Sequence, residues 1–193
     1  AILTLVIAIP LGVIAGANPQ TKLSKGIMAG SIFGISLPSF WMGMMLIYVF
    51  SVSLQILPAS GRAAAGPGGF SFLTPGGWKN LIMPVLTLAL GYSATILRVT
   101  RAGIQENMKQ DYVLYANVRG LPQQSIWVKH VLKNSMHTCI VAMGMSIPQM
   151  IAGTIVVENV FSWPGLGTLC ISSIFNRDLP VIQAYVLFIG VLF

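Results

Sequence analysis

Charge is scarce in this sequence, and negative charge is almost missing: four Asp and Glu stand against eleven Lys and Arg among 193 residues, and charged residues make up 8% of the chain. About a quarter of a soluble domain is charged. With 55% hydrophobic residues and a mean hydropathy of +0.80, the composition excludes an ordinary soluble globule and describes a membrane protein. Cysteine is confined to Cys139 and Cys170, about thirty residues apart with no CxxC, so neither a disulfide framework nor a zinc site is indicated and both read as packing residues. Histidine is confined to His130 and His137; the pair fits one helical face, but no Cys, Asp or Glu completes a site, and metal catalysis is not supported. A GxxxxGK[ST] phosphate cradle is also missing.

Long apolar runs are present instead. A spanning helix needs roughly 20 mostly apolar residues, and five stretches are candidates: Ala1 to Ala17, Ile27 to Leu57, Leu81 to Leu97, Thr138 to Val157 and Val181 to Phe193. The first and last are cut off inside apolar sequence, so the chain reads as a piece of a longer protein. The second exceeds one span and contains "GISLPSFW", where Pro38 is expected to kink or restart the helix, leaving Phe40 to Leu57 as its core. Pro84 and Pro148 fall inside two other runs, which a membrane tolerates when neighbouring helices or a cavity satisfy the freed carbonyls. The expectation is an all-α, polytopic helical bundle, a single membrane domain over 1–193.

The net charge of +7 forms no continuous basic face of the kind that binds nucleic acid; it reports orientation across a bilayer. Lys22 and Lys25 lie in one short connection, and Arg98, Arg101, Lys109, Arg119, Lys129 and Lys133 in another. The remaining connections hold only Arg62, Lys79 and Arg177. The positive-inside rule therefore puts residues 98–134 in the cytoplasm and the Gly/Pro-rich "PASGRAAAGPGGFSFLTPGGW" with "ENVFSWPGLG…NRDLP" outside.

Within the basic stretch, Ile104, Met108, Tyr112, Tyr115 and Val118 recur at helical spacing, and Ile126, Trp127, His130 and Val131 mark a second helix from Gln123 to Lys133. Between them "RGLP" supplies a helix stop at Gly120 and a restart at Pro122. The product is an amphipathic helix, a corner and a second helix, an object that lies on a bilayer surface or docks in a groove of another protein.

"RVTRAGIQENMKQDYVLYANVRGLPQQSIWVKHVLKNS" resembles the cytoplasmic loop of permease subunits of binding-protein-dependent ABC importers, in particular the peptide and nickel branch. "GISLPSFWMGMMLIYVFSV" and "GTIVVENVFSWPGLGTLCISSIFNRDLPVIQ" resemble the same branch in the same order. The resemblance implies a type I ABC importer permease fold in the bacterial inner membrane, with one further span before Ala1. It implies no covalent chemistry and no cofactor on this chain, since ATP belongs to a partner. The implied partners are a second permease, two ATP-binding subunits, an extracytoplasmic substrate-binding protein and membrane lipid. In the family the loop carries a short coupling helix, the EAA motif. Here Ala116 and Gly120 match it, Leu114 and Tyr115 replace its Glu and first Ala, and "HVLKN" replaces its Ile-x-Leu-Pro.

The candidate ATPase-coupling residues are accordingly Tyr112, Tyr115, Ala116, Gly120 and Leu121, with Tyr112, Tyr115 and Val118 as the expected docking face. Candidates for an outer gate or a binding-protein contact are Glu158, Trp163, Arg177 and Asp178, with Glu158 pairing with Arg177 or Asn176 as the structural reading. Met136, Met143 and Met150 repeat every seven residues; core packing is the favoured reading, with a soft-metal path kept as a hint toward nickel. An intramembrane protease drawing on Ser36, Ser39, Ser51 or Ser53 fails because both histidines belong to the loop side. An ion-coupled transporter or channel is the alternative, though it calls for ionisable residues within the spans, and these are nearly uncharged.

Overall fold

A computed structural model describes residues 1–63 and 74–192. Among these the regular structure is entirely helical: α1 (Ile2–Ala17), α2 (Lys22–Ser36), α3 (Ser39–Leu46), α4 (Pro75–Asn107), α5 (Asp111–Val118), α6 (Gln123–Ser125), α7 (Lys133–Val160), α8 (Leu166–Phe175) and α9 (Leu179–Leu192). Seven-residue π-helical stretches, Ile47–Ser53 and Ile126–Leu132, extend α3 and join α6 to α7. The middle of the Gly/Pro-rich loop, including Gly68, lies outside the described residues.

Two helical stretches, Gly76–Asn107 and Ile126–Val160, are long and apolar enough to cross a membrane, with mean hydropathies of 1.6 and 1.8. The broken pair Lys22–Ser36 and Ser39–Ser53 makes up to three, and Ile2–Ala17, Leu166–Phe175 and Leu179–Leu192 are shorter apolar helices. The expected restart at Pro38 is present, with α2 ending at Ser36 and Pro38 standing in extended conformation (φ −60°, ψ 141°) before α3. The expected core span of Phe40 to Leu57 is shorter than read, because helix ends at Ser53 and Gln55 turns into positive φ. A second difference is α8, ten residues read as loop; at that length it is invisible to a search for spans.

The chain divides into two compact units. The first comprises Ala1–Ser36 with Ala89–Ile147. Its packing begins with small residues: Ala8, Gly12, Ala15 and Gly16 of α1 are buried. A Cβ at Gly12 would come within 2.6 Å of the Thr100 Cβ and 2.9 Å of the Leu97 carbonyl, and one at Gly16 within 2.8 Å of the Ile104 Cβ. The Gly-x-x-x-Gly pair thus lets α1 lie directly on α4, where dispersion between close backbones replaces the hydrophobic effect that lipid cannot supply. Ala8, Ile96 and Leu97 form the core there, with Met143 packed against them, which gives that methionine the packing role. Of the polar groups buried in this layer, Thr100 Oγ1 donates to the Ile96 carbonyl at 2.8 Å and Cys139 Sγ contacts Thr100 Oγ1 at 3.2 Å, whereas the buried Thr4 Oγ1 has no hydrogen-bond partner among the described residues.

The second unit comprises Leu37–Leu88 with Pro148–Phe193. Met83, Val157 and Phe161 are its core, with Leu46, Phe50 and Leu88 around them. Gly43 of α3 approaches Val160 and Phe161, where a Cβ would stand 3.1 to 3.2 Å from their side chains. The Phe161 carbonyl accepts from the Gly61 N–H at 2.8 Å, and Asn80 Nδ2 donates to the Gly61 carbonyl at 3.1 Å, so both backbone groups of Gly61 are tied to this unit.

Candidate coupling surface

The basic stretch folds as two helical pieces before its corner, where a single face had been read. α4 ends at Asn107, residues 108–110 form a turn, and α5 starts after Gln110, whose extended backbone (ψ 148°) cannot continue a helix. Asn107 makes the break specific: its Nδ2 donates to the Gly103 carbonyl at 2.8 Å while its Oδ1 accepts from Tyr112 Oη at 2.8 Å. Asp111 occupies the first turn of α5, where its charge favours the helix dipole.

Because of that break, the residues of the expected face separate. Ile104 is buried, and Met108 and Tyr112 pack on the same core. α5 is held to this core by Val113 and Ala116, three apart and both at most 5% exposed, against Ile126 and Val131. Its other side carries Leu114 (65% exposed), Tyr115 (60%) and Val118 (78%). Of the five candidates, Tyr112 therefore faces inward, Ala116 fastens the helix from behind, and Tyr115 lies on the open side. Leu114 and Val118 share that side; an eight-residue helix is too short for spacing alone to fix which side is buried.

The corner follows from Gly120. Its φ is +69°, the left-handed region that a residue with a Cβ enters at a cost of roughly 1 kcal/mol or more. The Gly120 N–H donates to the Asn117 carbonyl at 2.9 Å and the Leu121 N–H to the Ala116 carbonyl at 3.2 Å, a Schellman closure of α5. Leu121, 39% exposed, extends the apolar surface past the turn. The Arg119 guanidinium lies 4.7 Å from the centre of the Tyr115 ring, a cation over an aromatic face. Gln123 Nε2 donates to Asn117 Oδ1 at 2.9 Å across the corner, so a rigid helix end presents the patch.

The second candidate group resolves into two turns. Glu158 does not look to Arg177 or Asn176 for its bond: its Oε2 accepts from the Thr168 N–H at 3.0 Å, inside the first turn of α8. A carboxylate there satisfies an orphan donor and meets the positive end of the dipole. Room for it exists because residues 165 and 167 are glycine; a Cβ at Gly165 would lie 2.5 Å from each carboxylate oxygen. The Trp163 N–H closes the loop onto the Glu158 carbonyl at 2.8 Å. Both side chains border a cavity of about 190 Å³ with Leu81, Pro84 and Val157. Arg177 and Asp178 make the α8–α9 turn instead, Arg177 at φ +58° and Asp178 Oδ1 accepting from the Val181 N–H at 3.4 Å. No group of three or more His, Cys, Asp and Glu suited to a metal ion occurs among the described residues.

Apolar helices of spanning length, a further pair interrupted at Pro38, and a basic connection that holds out a short helix define the class: a multi-pass membrane protein. Residues 8–193 match the family described as "Binding-protein-dependent transport system inner membrane component", and the chain belongs to it. It is therefore an inner-membrane component with the type I ABC importer permease fold.

Named relatives agree. The chain is 37% identical over 191 residues to the oligopeptide transport system permease protein AppB of Bacillus subtilis (strain 168), covering 99% of this chain and 60% of that protein. It is 34% identical over 192 residues to the metal-staphylopine import system permease protein CntB of Staphylococcus aureus (strain NCTC 8325 / PS 47), covering 100% and 57%. To a putative peptide transport system permease protein of Brucella abortus (strain 2308) it is 35% identical over 199 residues, covering 100% and 61%. The chain thus spans about 60% of the length of the curated relatives it matches.

Proposed function

We propose that this chain is the membrane core of a permease subunit in an ATP-driven importer, and that the open side of α5 docks on a separate ATP-binding subunit. One observation carries the reading. Leu114, Tyr115 and Val118 stay exposed on a helix whose back is fastened by Val113 and Ala116, and an apolar patch on a rigid, polar-flanked element is the mark of a protein-binding surface. Closure of the ATP-binding subunits would move α5, and α5 would move the spans joined to it as a rigid body, alternating inward and outward access. ATP binds to the partner. The assembly has two permeases, two ATP-binding subunits and an extracytoplasmic binding protein, with residues 98–134 in the cytoplasm.

The substrate is a peptide or a chelated metal ion such as nickel. Relatives of both kinds support this, and they disfavour the ion-coupled alternative. Uptake of a radiolabelled oligopeptide and of radiolabelled nickel, in cells lacking the full-length protein and in cells with it restored, tests the proposal. Restored uptake of one of them that stops when ATP is depleted, with the membrane potential maintained, is the expected result. Uptake that follows the membrane potential and ignores ATP would overturn it.

A further inference from the structure

The first unit holds a second feature that the coupling surface does not use. Met28 of α2 and Thr95, Arg98, Val99, Arg101 and Gln105 of α4 border an open cleft of about 520 Å³, within the ~300–1,000 Å³ typical of ligand sites. Two arginines line it, and no acidic side chain is among the described residues that do. Arg98 directly follows the apolar run that ends at Leu97, which is headgroup depth for a spanning helix. Arg101 is fixed from behind: its Nε donates to the Ala15 carbonyl at 3.4 Å, leaving the four Nη–H donors of its fork for a ligand. Ser24 Oγ donates to the same carbonyl at 2.8 Å, so the α2 terminus bearing Lys22 and Lys25 is drawn to this end of the unit. Met28, Val99 and the methyl of Thr95 give the cleft an apolar wall beside its charges.

We propose that this cleft binds the phosphate of an anionic phospholipid headgroup from the cytoplasmic leaflet. Guanidinium forks match phosphate oxygens two at a time, and a basic pocket between spans on the cytoplasmic side has the chemistry to seat such a headgroup. A free phosphate would use the charges and ignore the apolar wall; a lipid uses both. The inference needs only the orientation of the basic end, and it stands or falls apart from the transported substrate.

The test is native mass spectrometry of the full-length permease titrated with phosphatidylglycerol, with phosphatidylcholine and inorganic phosphate as controls. Arg98→Gln is expected to weaken phosphatidylglycerol binding about fivefold, and Arg98→Gln with Arg101→Gln by that factor again. Met28→Trp fills the cleft while leaving every charge in place and is expected to lower binding by a similar factor, which keeps the inference testable should the Arg101 variant fold poorly. Lys79→Gln, in the other unit, is expected to change nothing. Equal retention of phosphatidylcholine, unchanged phosphatidylglycerol binding in the double variant and in Met28→Trp, or displacement of the lipid by inorganic phosphate at matched concentration would each overturn it.

Discussion

Each of the two units depends on a glycine, and for different reasons. Gly120 in the first unit has nothing within 4 Å of where a Cβ would stand, but its φ is +69°. Gly165 in the second has an extended backbone that any residue adopts, with φ −132° and ψ −177°, and no space, because the Glu158 carboxylate fills it. One glycine is required by conformation, the other by packing. The units differ in charge along the same line. Lys22, Lys25, Arg98, Arg101, Lys109, Arg119, Lys129 and Lys133 all fall in the first, and only Arg62, Lys79 and Arg177 in the second. The partition read as sidedness from short connections is therefore also a partition between two packed bodies. The first holds out a surface, and the second closes on its own carboxylate.

The strongest challenge to that contrast is at Gly167, where a Cβ would meet the Ile155 Cα and Glu158 Oε2, each at 2.8 Å. Neither can retreat without moving α7 or breaking the Thr168 bond. Gly167→Val is expected to destabilise the protein by about 3 kcal/mol, read as a loss of folded material in detergent; a variant as stable as the parent would deny the packing role.

Next comes Glu158. Removing the carboxylate in Glu158→Ala strands the Thr168 N–H at the α8 terminus, and hydrogen bonds to charged groups contribute about 1.5–3 kcal/mol. Thermal unfolding should show a loss of about 2 kcal/mol, with Glu158→Gln recovering part of it because the amide oxygen still accepts. Equal stability of all three proteins would return Glu158 to a role at the outer surface.

A smaller effect is expected at Gly120. Gly120→Val should cost about 1–2 kcal/mol locally, leave membrane insertion intact and lower uptake. Gly120→Asn, which tolerates the left-handed region, should transport nearly as the parent does. Equal uptake by both variants would show that the backbone at the corner does not matter.

Much of this was legible locally. Pro38 announces its break by a missing donor, Gly120 its turn by Gly-Leu-Pro, and the second helix from Gln123 by its periodicity. Three things were not. The α4–α5 break depends on one Asn107 side chain bonding in two directions, which no spacing encodes. Gly12 and Gly16 carry a signal, the Gly-x-x-x-Gly spacing within "LGVIAGA", but its meaning comes from what α4 puts opposite. Glu158 is a single carboxylate ten residues before its partner, Thr168; nothing in the intervening "NVFSWPGLG" says that the helix after it will bring a free N–H back to it.

The central claim, that the open side of α5 is where an ATP-binding subunit docks, is tested most directly by copurification of that subunit with parent and Tyr115→Asp permease at equal permease load. Tyr115 is 60% exposed, so the substitution removes no core contact; even with Arg119 four residues on to pair with it, it replaces an apolar ring by a charge in an apolar contact, a change worth about 2 kcal/mol or more at an interface centre. The account predicts that recovery of the ATP-binding subunit falls at least about tenfold while permease abundance is unchanged. Undiminished recovery would contradict it and leave α5 as a helix resting on the membrane surface.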